Sequence, residues 1–204
     1  MPTGTTAKRA AALPPEQRRA AIVEAVVPLL REHGGRITTR QIAEAAGIAE
    51  GTIFNVFADK DELLSAAVET LLDPGPLEHA ISEIDSDQPL EARLVEAVRL
   101  MQRRTVEIFT VLSQLGPSSH SHPPRPMSDS PGLAAIFASE PDAVRTDPVT
   151  ASRILRAFTL SMTHPMIAVE QASADQIVEV VLHGIGAPSP IDPSAAANDQ
   201  GARR

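Results

Sequence analysis

The chain has 204 residues, a formal net charge of -8, no cysteine and only 2% aromatic residues, all of them phenylalanine. A core built from Leu, Ile, Val, Ala and Met suits helices better than sandwiches or barrels, so the composition predicts an all-α protein of one or two small domains. A disulfide framework, a thiolate metal site and a cysteine nucleophile are excluded, and no apolar run has the form of a signal peptide or the roughly 18–20 residues of a membrane span, so a cytoplasmic protein with no membrane partner is expected.

Residues 1–15 are small, polar and proline-containing, with Lys8 and Arg9, and read as a flexible basic arm. Helical spacing begins at Glu16, where Ile22, Val23, Val26, Val27, Leu29 and Leu30 form an apolar stripe that stops at His33-Gly34-Gly35. Pro28 lies inside it, and a kink or loosened turn is expected there because proline removes a backbone donor and clashes one turn back. A helix over Asp61–Leu72 ends at Asp73-Pro74-Gly75-Pro76, a short one follows near Leu77–Ile84, and a long one runs from about Pro89 to Leu115. Residues 116–131, rich in Pro and Ser, read as a flexible loop. Short helical spacing near Leu133–Ser139 precedes two final helices, about Pro148–Met162 and Ala174–Ile185, and residues 187–204 read as a disordered tail.

Residues 37–63 carry the chemistry. Thr38 followed three residues later by Gln41 is a capping box, Ile42, Ala43 and Ala46 give the next helix a small apolar face, and Gly47 sits just past its end, where a left-handed backbone is cheapest for glycine. Ile48 turns inward and a second short helix runs from Glu50 to Phe57, a helix-turn-helix. Its outward face is Glu50, Gly51, Thr52, Asn55 and Val56, short enough for the backbone to enter a major groove of about 12 Å. Asn55 is the candidate for a bidentate contact to adenine, and Thr52 for a phosphate or thymine methyl. Asp59, with Glu62 as capping-box partner, starts another helix with Lys60 in its first turn, so free N–H groups and an ammonium together suit a phosphate. Thr38, Thr39 and Arg40 stand at the other helix start in the same role. Charge agrees: residues 1–60 hold 8 Lys and Arg against 6 Asp and Glu, whereas residues 61–204 hold 10 against 20.

This stretch resembles the DNA-binding head of the tetracycline-repressor (TetR/AcrR) family of transcriptional regulators, which commonly reads T-x-x-x-I-A-x-x-A-G-V-S-x-G-T-x-Y-x-x-F-x-x-K-x-x-L. Thr38, Ile42, Ala43, Ala46, Gly47, Gly51, Thr52, Phe57, Lys60 and Leu63 match outright, and Ile48 and Phe54 are conservative variants. Two departures bear on mechanism: Ala49 replaces the usual Ser and removes a side-chain cap, and Phe54 replaces the usual Tyr and its hydroxyl. Glu50 adds a carboxylate near the phosphates. The resemblance implies a three-helix head over residues 16–64 and a helical ligand-binding and dimerisation bundle over residues 65–186. It also implies a homodimer on a palindromic double-stranded DNA operator, joined through the last two helices, whose Ile154, Leu155, Ala157, Phe158, Met162, Ile177, Val178, Val181, Leu182 and Ile185 exceed the needs of one small body.

By the same resemblance, a small apolar effector of unknown identity is expected among Met101, Thr105, Ile108, Phe109, Leu112, Phe137, Phe158 and Met162, with His164 as a polar group facing it. No cofactor and no metal are expected: His120 and His122 lack fixed geometry and a neighbouring carboxylate. Ser161 with His164 lacks an oxyanion donor and an orienting acid, so an enzyme is not expected. Arg18 and Arg19, near the head, are candidate arm contacts to DNA. The competing reading is a family member with decayed DNA binding, kept as a ligand- or protein-binding module, motivated by Ala49, Glu50 and Phe54.

Overall fold

The computed structural model describes residues 14–115 and 127–185, and every long regular element among them is a helix. The arm residues Lys8 and Arg9, the histidines His120 and His122, and the tail at 187–204 lie outside the described residues. The chain divides into two compact units, one holding residues up to Asp73 together with Glu107–Pro124, the other Pro74–Val106 together with the chain from Arg125 onward.

In the first unit, α1 (Pro15–His33) buries Ile22, Val23, Val26 and Leu30. Helical backbone continues through Pro28, which is exposed along with Glu24, the residue whose carbonyl loses its helical donor. The helix stops at Gly34, whose φ of 58° and ψ of -147° only glycine adopts without strain, and whose N–H donates to the Leu30 carbonyl. A Cβ there would lie 2.3 Å from Gln114 Oε1, so sterics and backbone both demand glycine. Next come α2 (Thr39–Ala46), α3 (Glu50–Phe54) and α4 (Lys60–Leu71). They share one core, in which Ile37, Ile42, Ile53, Phe57, Leu63, Ala67 and Val68 are at most 1% exposed. Val111 and Leu115, from the end of a later helix, complete it.

The second unit contains α5 (Gly75–Ser82), most of α6 (Leu90–Gln114), α7 (Pro131–Ala138), α8 (Pro148–Thr163) and α9 (Ala174–Ile185). Leu94, Ala97, Val98, Leu133, Phe137, Ala151, Leu155, Ile177 and Val178 are fully buried among them. The buried Arg93 of α6 donates to Ser139 Oγ at 2.8 Å and to Glu140 Oε1 at 2.7 Å, fastening the end of α7. Of the stretch read as a loop, residues 127–130 are anchored rather than free: Asp129 takes both ends of the Arg153 fork at 2.7 and 2.9 Å, Ser128 gives its carbonyl to Arg156, and Ser130 caps α7 by accepting from the Leu133 N–H. Pro131, which the sequence placed in the loop, opens α7, where its fixed φ and missing donor cost nothing. His164 ends α8, directly before Pro165.

Candidate nucleic-acid interface

The site is built from three short elements of the first unit. Thr38 has the extended backbone of an N-cap, its hydroxyl oxygen accepts from the Gln41 N–H at 3.2 Å, and Gln41 Oε1 accepts from the Thr38 N–H at 2.8 Å, so the capping box is reciprocal. At the other end Gly47 is left-handed, with φ 65° and ψ 33°, and a Cβ at that position would meet nothing, so the requirement is purely conformational.

The chain then enters α3 through Ala49, whose extended backbone suits a cap but whose side chain offers none. Ile53 and Phe57 are buried and fix which way α3 faces. Glu50, Gly51, Phe54 and Asn55 are exposed, and Thr52 and Val56 are half-buried. The helix ends at Phe54 rather than Phe57, because the Asn55 and Val56 N–H groups reach back three residues, to Thr52 and Ile53, and tighten the last turn. Asn55 is the residue that caps it, still in right-handed helical backbone.

Polar side chains around α3 are already engaged with one another. The Thr39 hydroxyl donates to the Glu50 carboxylate. Arg40 pairs with Glu44 at 3.0 Å one helical turn on, and that carboxylate raises the arginine's pKa first by hydrogen bonding and then by charge. At the start of α4, Asp59 Oδ1 accepts from the Glu62 N–H at 2.8 Å. The return bond of the expected box lands elsewhere: Glu62 Oε2 accepts from the Ala58 N–H at 2.7 Å. Lys60 Nζ donates to the Gly35 carbonyl at 3.1 Å, which uses one of its three donors and leaves the others for an incoming anion. Arg18 is half-buried, whereas Arg19 lies over the Phe57 ring and bonds to Glu62.

Thr38, Thr39, Arg40, Glu50, Gly51, Thr52, Phe54, Asn55 and Lys60 thus lie on or beside α3 and at the starts of α2 and α4. Two exposed helix starts, each with a cation in its first turn, flank a short helix whose outward residues are small or polar, which is what a phosphate backbone and a major groove require. Residue reading missed Glu44 and the second role of Glu62. Glu44 was legible from its spacing to Arg40; the Glu62–Ala58 bond depends on how tightly the turn after Phe57 closes.

Residues 22–67 match the family model of bacterial regulatory proteins, tetR family. Over that stretch the chain has the DNA-binding head of the tetR family of bacterial regulatory proteins. A solved structure concerned with control of antibiotic production by bacterial hormones is 20% identical, spans 84% of this chain and 98% of its own, and superposes with a TM-score of 0.53, which shows likeness of fold. A Rhodococcus transcriptional regulator is 18% identical over 87% of this chain and 100% of its own, with a TM-score of 0.47. RolR, solved with resorcinol, is 17% identical over 93% and 95% of the two chains, with a TM-score of 0.48.

The nine residues expected around an effector are not gathered in one place. Met101 and Phe137 are fully used in the core of the second unit. Ile108 and Leu112 pack instead against the core of the head, because α6 passes from one unit to the other at Glu107. Thr105, Phe109 and His164 are half-buried. Phe158 and Met162 line an open groove of 770 Å³ between α8 and α9, together with Ile177, Val180, Glu170, Glu179 and His183. The sequence pattern marks these side chains as apolar and inward but not which neighbour each meets. Among the described residues no cluster of three or more metal-ligating side chains occurs and no helix is long and apolar enough to cross a membrane.

Proposed function

We propose that this regulator is a ligand-responsive repressor that binds a palindromic operator as a homodimer. The observation that carries the reading is the exposed α3 surface of Glu50, Gly51, Phe54 and Asn55, held by buried Ile53 and Phe57 and flanked by the starts of α2 and α4. Asn55 reads an adenine edge, Thr52 a neighbouring phosphate or thymine methyl, and Phe54 packs on sugar or methyl carbons. Thr38, Thr39, Arg40 and Lys60 grip phosphates on either side. Glu50, tied back by Thr39, accepts from a cytosine amino group or repels a misplaced phosphate.

Dimerisation through α8 and α9 is supported by apolar surface that the fold leaves exposed on α8: Val149, Ile154 and Leu160. Leu155, Ile177, Val178 and Val181 are buried within their own body, so the interface uses the opposite face of these helices. The effector is an apolar small molecule, and the groove floored by Phe158 and Met162 is where it enters. A ligand there releases DNA only if it binds the DNA-free arrangement more tightly than the bound one.

Selection of bound duplexes from a random pool, followed by screening small apolar molecules for release, tests this reading. An enriched palindrome bound by two chains, and a compound that dissociates it, are expected. Failure to enrich any sequence while an apolar ligand still binds favours the decayed-head alternative, which the uncapped Ala49, the Glu50 carboxylate and the half-exposed Phe54 motivate.

A further inference from the structure

The recognition helix α3 is five residues long and its first turn has no side-chain cap. A helix this short has no stability of its own, so tertiary ties set its position. From inside the head, Ile53 and Phe57 supply two of them. The third comes from Arg19 of α1. Its guanidinium carbon sits 4.3 Å from the centre of the Phe57 ring, and Nη1 donates to Glu62 Oε1 at 2.9 Å and, at 3.5 Å, to the Val56 carbonyl. The other Glu62 oxygen accepts from the Ala58 N–H at 2.7 Å. One planar cation therefore touches the ring, the carbonyl and, through Glu62, the amide of three successive residues that leave the recognition helix.

We infer that Arg19 is a positioning residue for DNA recognition: it sets the angle at which α3 presents Thr52 and Asn55, and it is not a phosphate contact. The inference rests on the reading that α3 faces DNA. The Arg19 and Glu62 side chains are both 41% exposed, and an ion pair so wetted adds little to global stability. Its effect is on geometry, because a flat guanidinium lies over Phe57 while its Nη1 reaches both Glu62 and the Val56 carbonyl. Lysine at the same place keeps the charge and loses the planar stack.

The test compares the unsubstituted protein with Arg19→Ala and Arg19→Lys in two measurements. Without DNA, amide hydrogen exchange over residues 50–58 should quicken in both variants while the buried stretches of α1 and α4 keep their protection. With the duplex recovered by random-pool selection, and with a scrambled duplex, binding is titrated across salt concentrations. Arg19→Ala should reduce discrimination between the two by about tenfold, the worth of one good base contact, at an unchanged salt slope, and Arg19→Lys should not restore it. A salt slope lower by about one with rescue by lysine identifies a phosphate contact and overturns the inference. Unchanged exchange over residues 50–58, or unchanged discrimination per folded molecule, overturns it as well. If the unsubstituted protein enriches no duplex, the DNA-facing reading fails, and the exchange measurement still decides whether Arg19 orders α3.

Discussion

Replacing Gly51 by Ala should separate folding from DNA binding at the recognition helix. Gly51 is exposed in the first turn of α3, and a Cβ there would meet nothing within 4 Å. Alanine is favoured over glycine in a helix interior by about 0.8–1.0 kcal/mol. In the first turn of a helix this short only part of that is realised, so the free protein should gain about 0.5 kcal/mol, or about 1–2 °C in melting temperature for a chain of this size. The new methyl protrudes from the surface that must approach the groove, and overpacking a close interface costs about 1–3 kcal/mol, a loss of about five- to 150-fold in affinity. Circular dichroism melting and fluorescence anisotropy with the selected duplex measure the two effects. A more stable variant with unchanged or tighter DNA binding would refute the placement of this face against DNA, and a lower melting temperature would refute the reading of Gly51 as an unstrained helical glycine.

The other two glycines that matter act through backbone geometry. Gly34→Ala must relieve both a disallowed φ/ψ pair and a 2.3 Å clash with Gln114, so it should lose at least about 2–3 kcal/mol in urea unfolding, against about 1–2 kcal/mol for Gly47→Ala, which has only a left-handed φ to pay; equal losses would contradict the steric part. The carboxyl of Glu62 is held below the usual glutamate range, first by the Ala58 N–H and then by Arg19. Its folded pKa is depressed, so its contribution to stability is present above the ordinary glutamate pKa and lost as the pH falls through the folded value. Titration of the Glu62 carboxyl by nuclear magnetic resonance should give a value below that of an exposed glutamate, and Glu62→Gln should flatten the acid limb of the melting profile. Ile154→Arg, on the exposed face of α8, should yield monomers by light scattering with an unchanged helical spectrum; an unaltered dimer would exclude that face of α8 from the interface.

Most of the head was legible because its signals are local. A threonine and a glutamine three apart, a glycine whose left-handed backbone other residues rarely adopt, and an aspartate before Lys60 each act within a few residues, and the structure reproduces the bonds that Thr38, Gly47 and Asp59 make. The bounds of α9 were readable from its apolar period between a polar start and the end of the periodic run. Interactions that depend on distant chain segments were less legible. Arg19 was legible in the sequence only as a candidate DNA contact, because its partners Phe57 and Glu62 lie some forty residues away and its stacking on a ring leaves no trace in local spacing. The effector residues illustrate the same limit: Phe109, Ile108 and Leu112 share an apolar stripe with Met101 on one helix, yet that helix serves two units, so a continuous stripe conceals a change of neighbour at Glu107. Pro131 was assigned to a loop on composition, whereas its position just after Ser130 makes it the first residue of a capped helix.

Two copies of the α3 surface are expected to read DNA in a sequence-specific way. Selection from a random duplex pool, with the binding constant of the enriched sequence then measured across salt concentrations, tests it most directly. The expected result is a palindrome whose half-sites are centred one helical turn apart or a multiple of it, about 34–36 Å per turn, bound with a negative salt slope and lost on Asn55→Ala. An unenriched pool, or an enriched sequence whose binding is indifferent to substitution at Thr52 and Asn55, would contradict it.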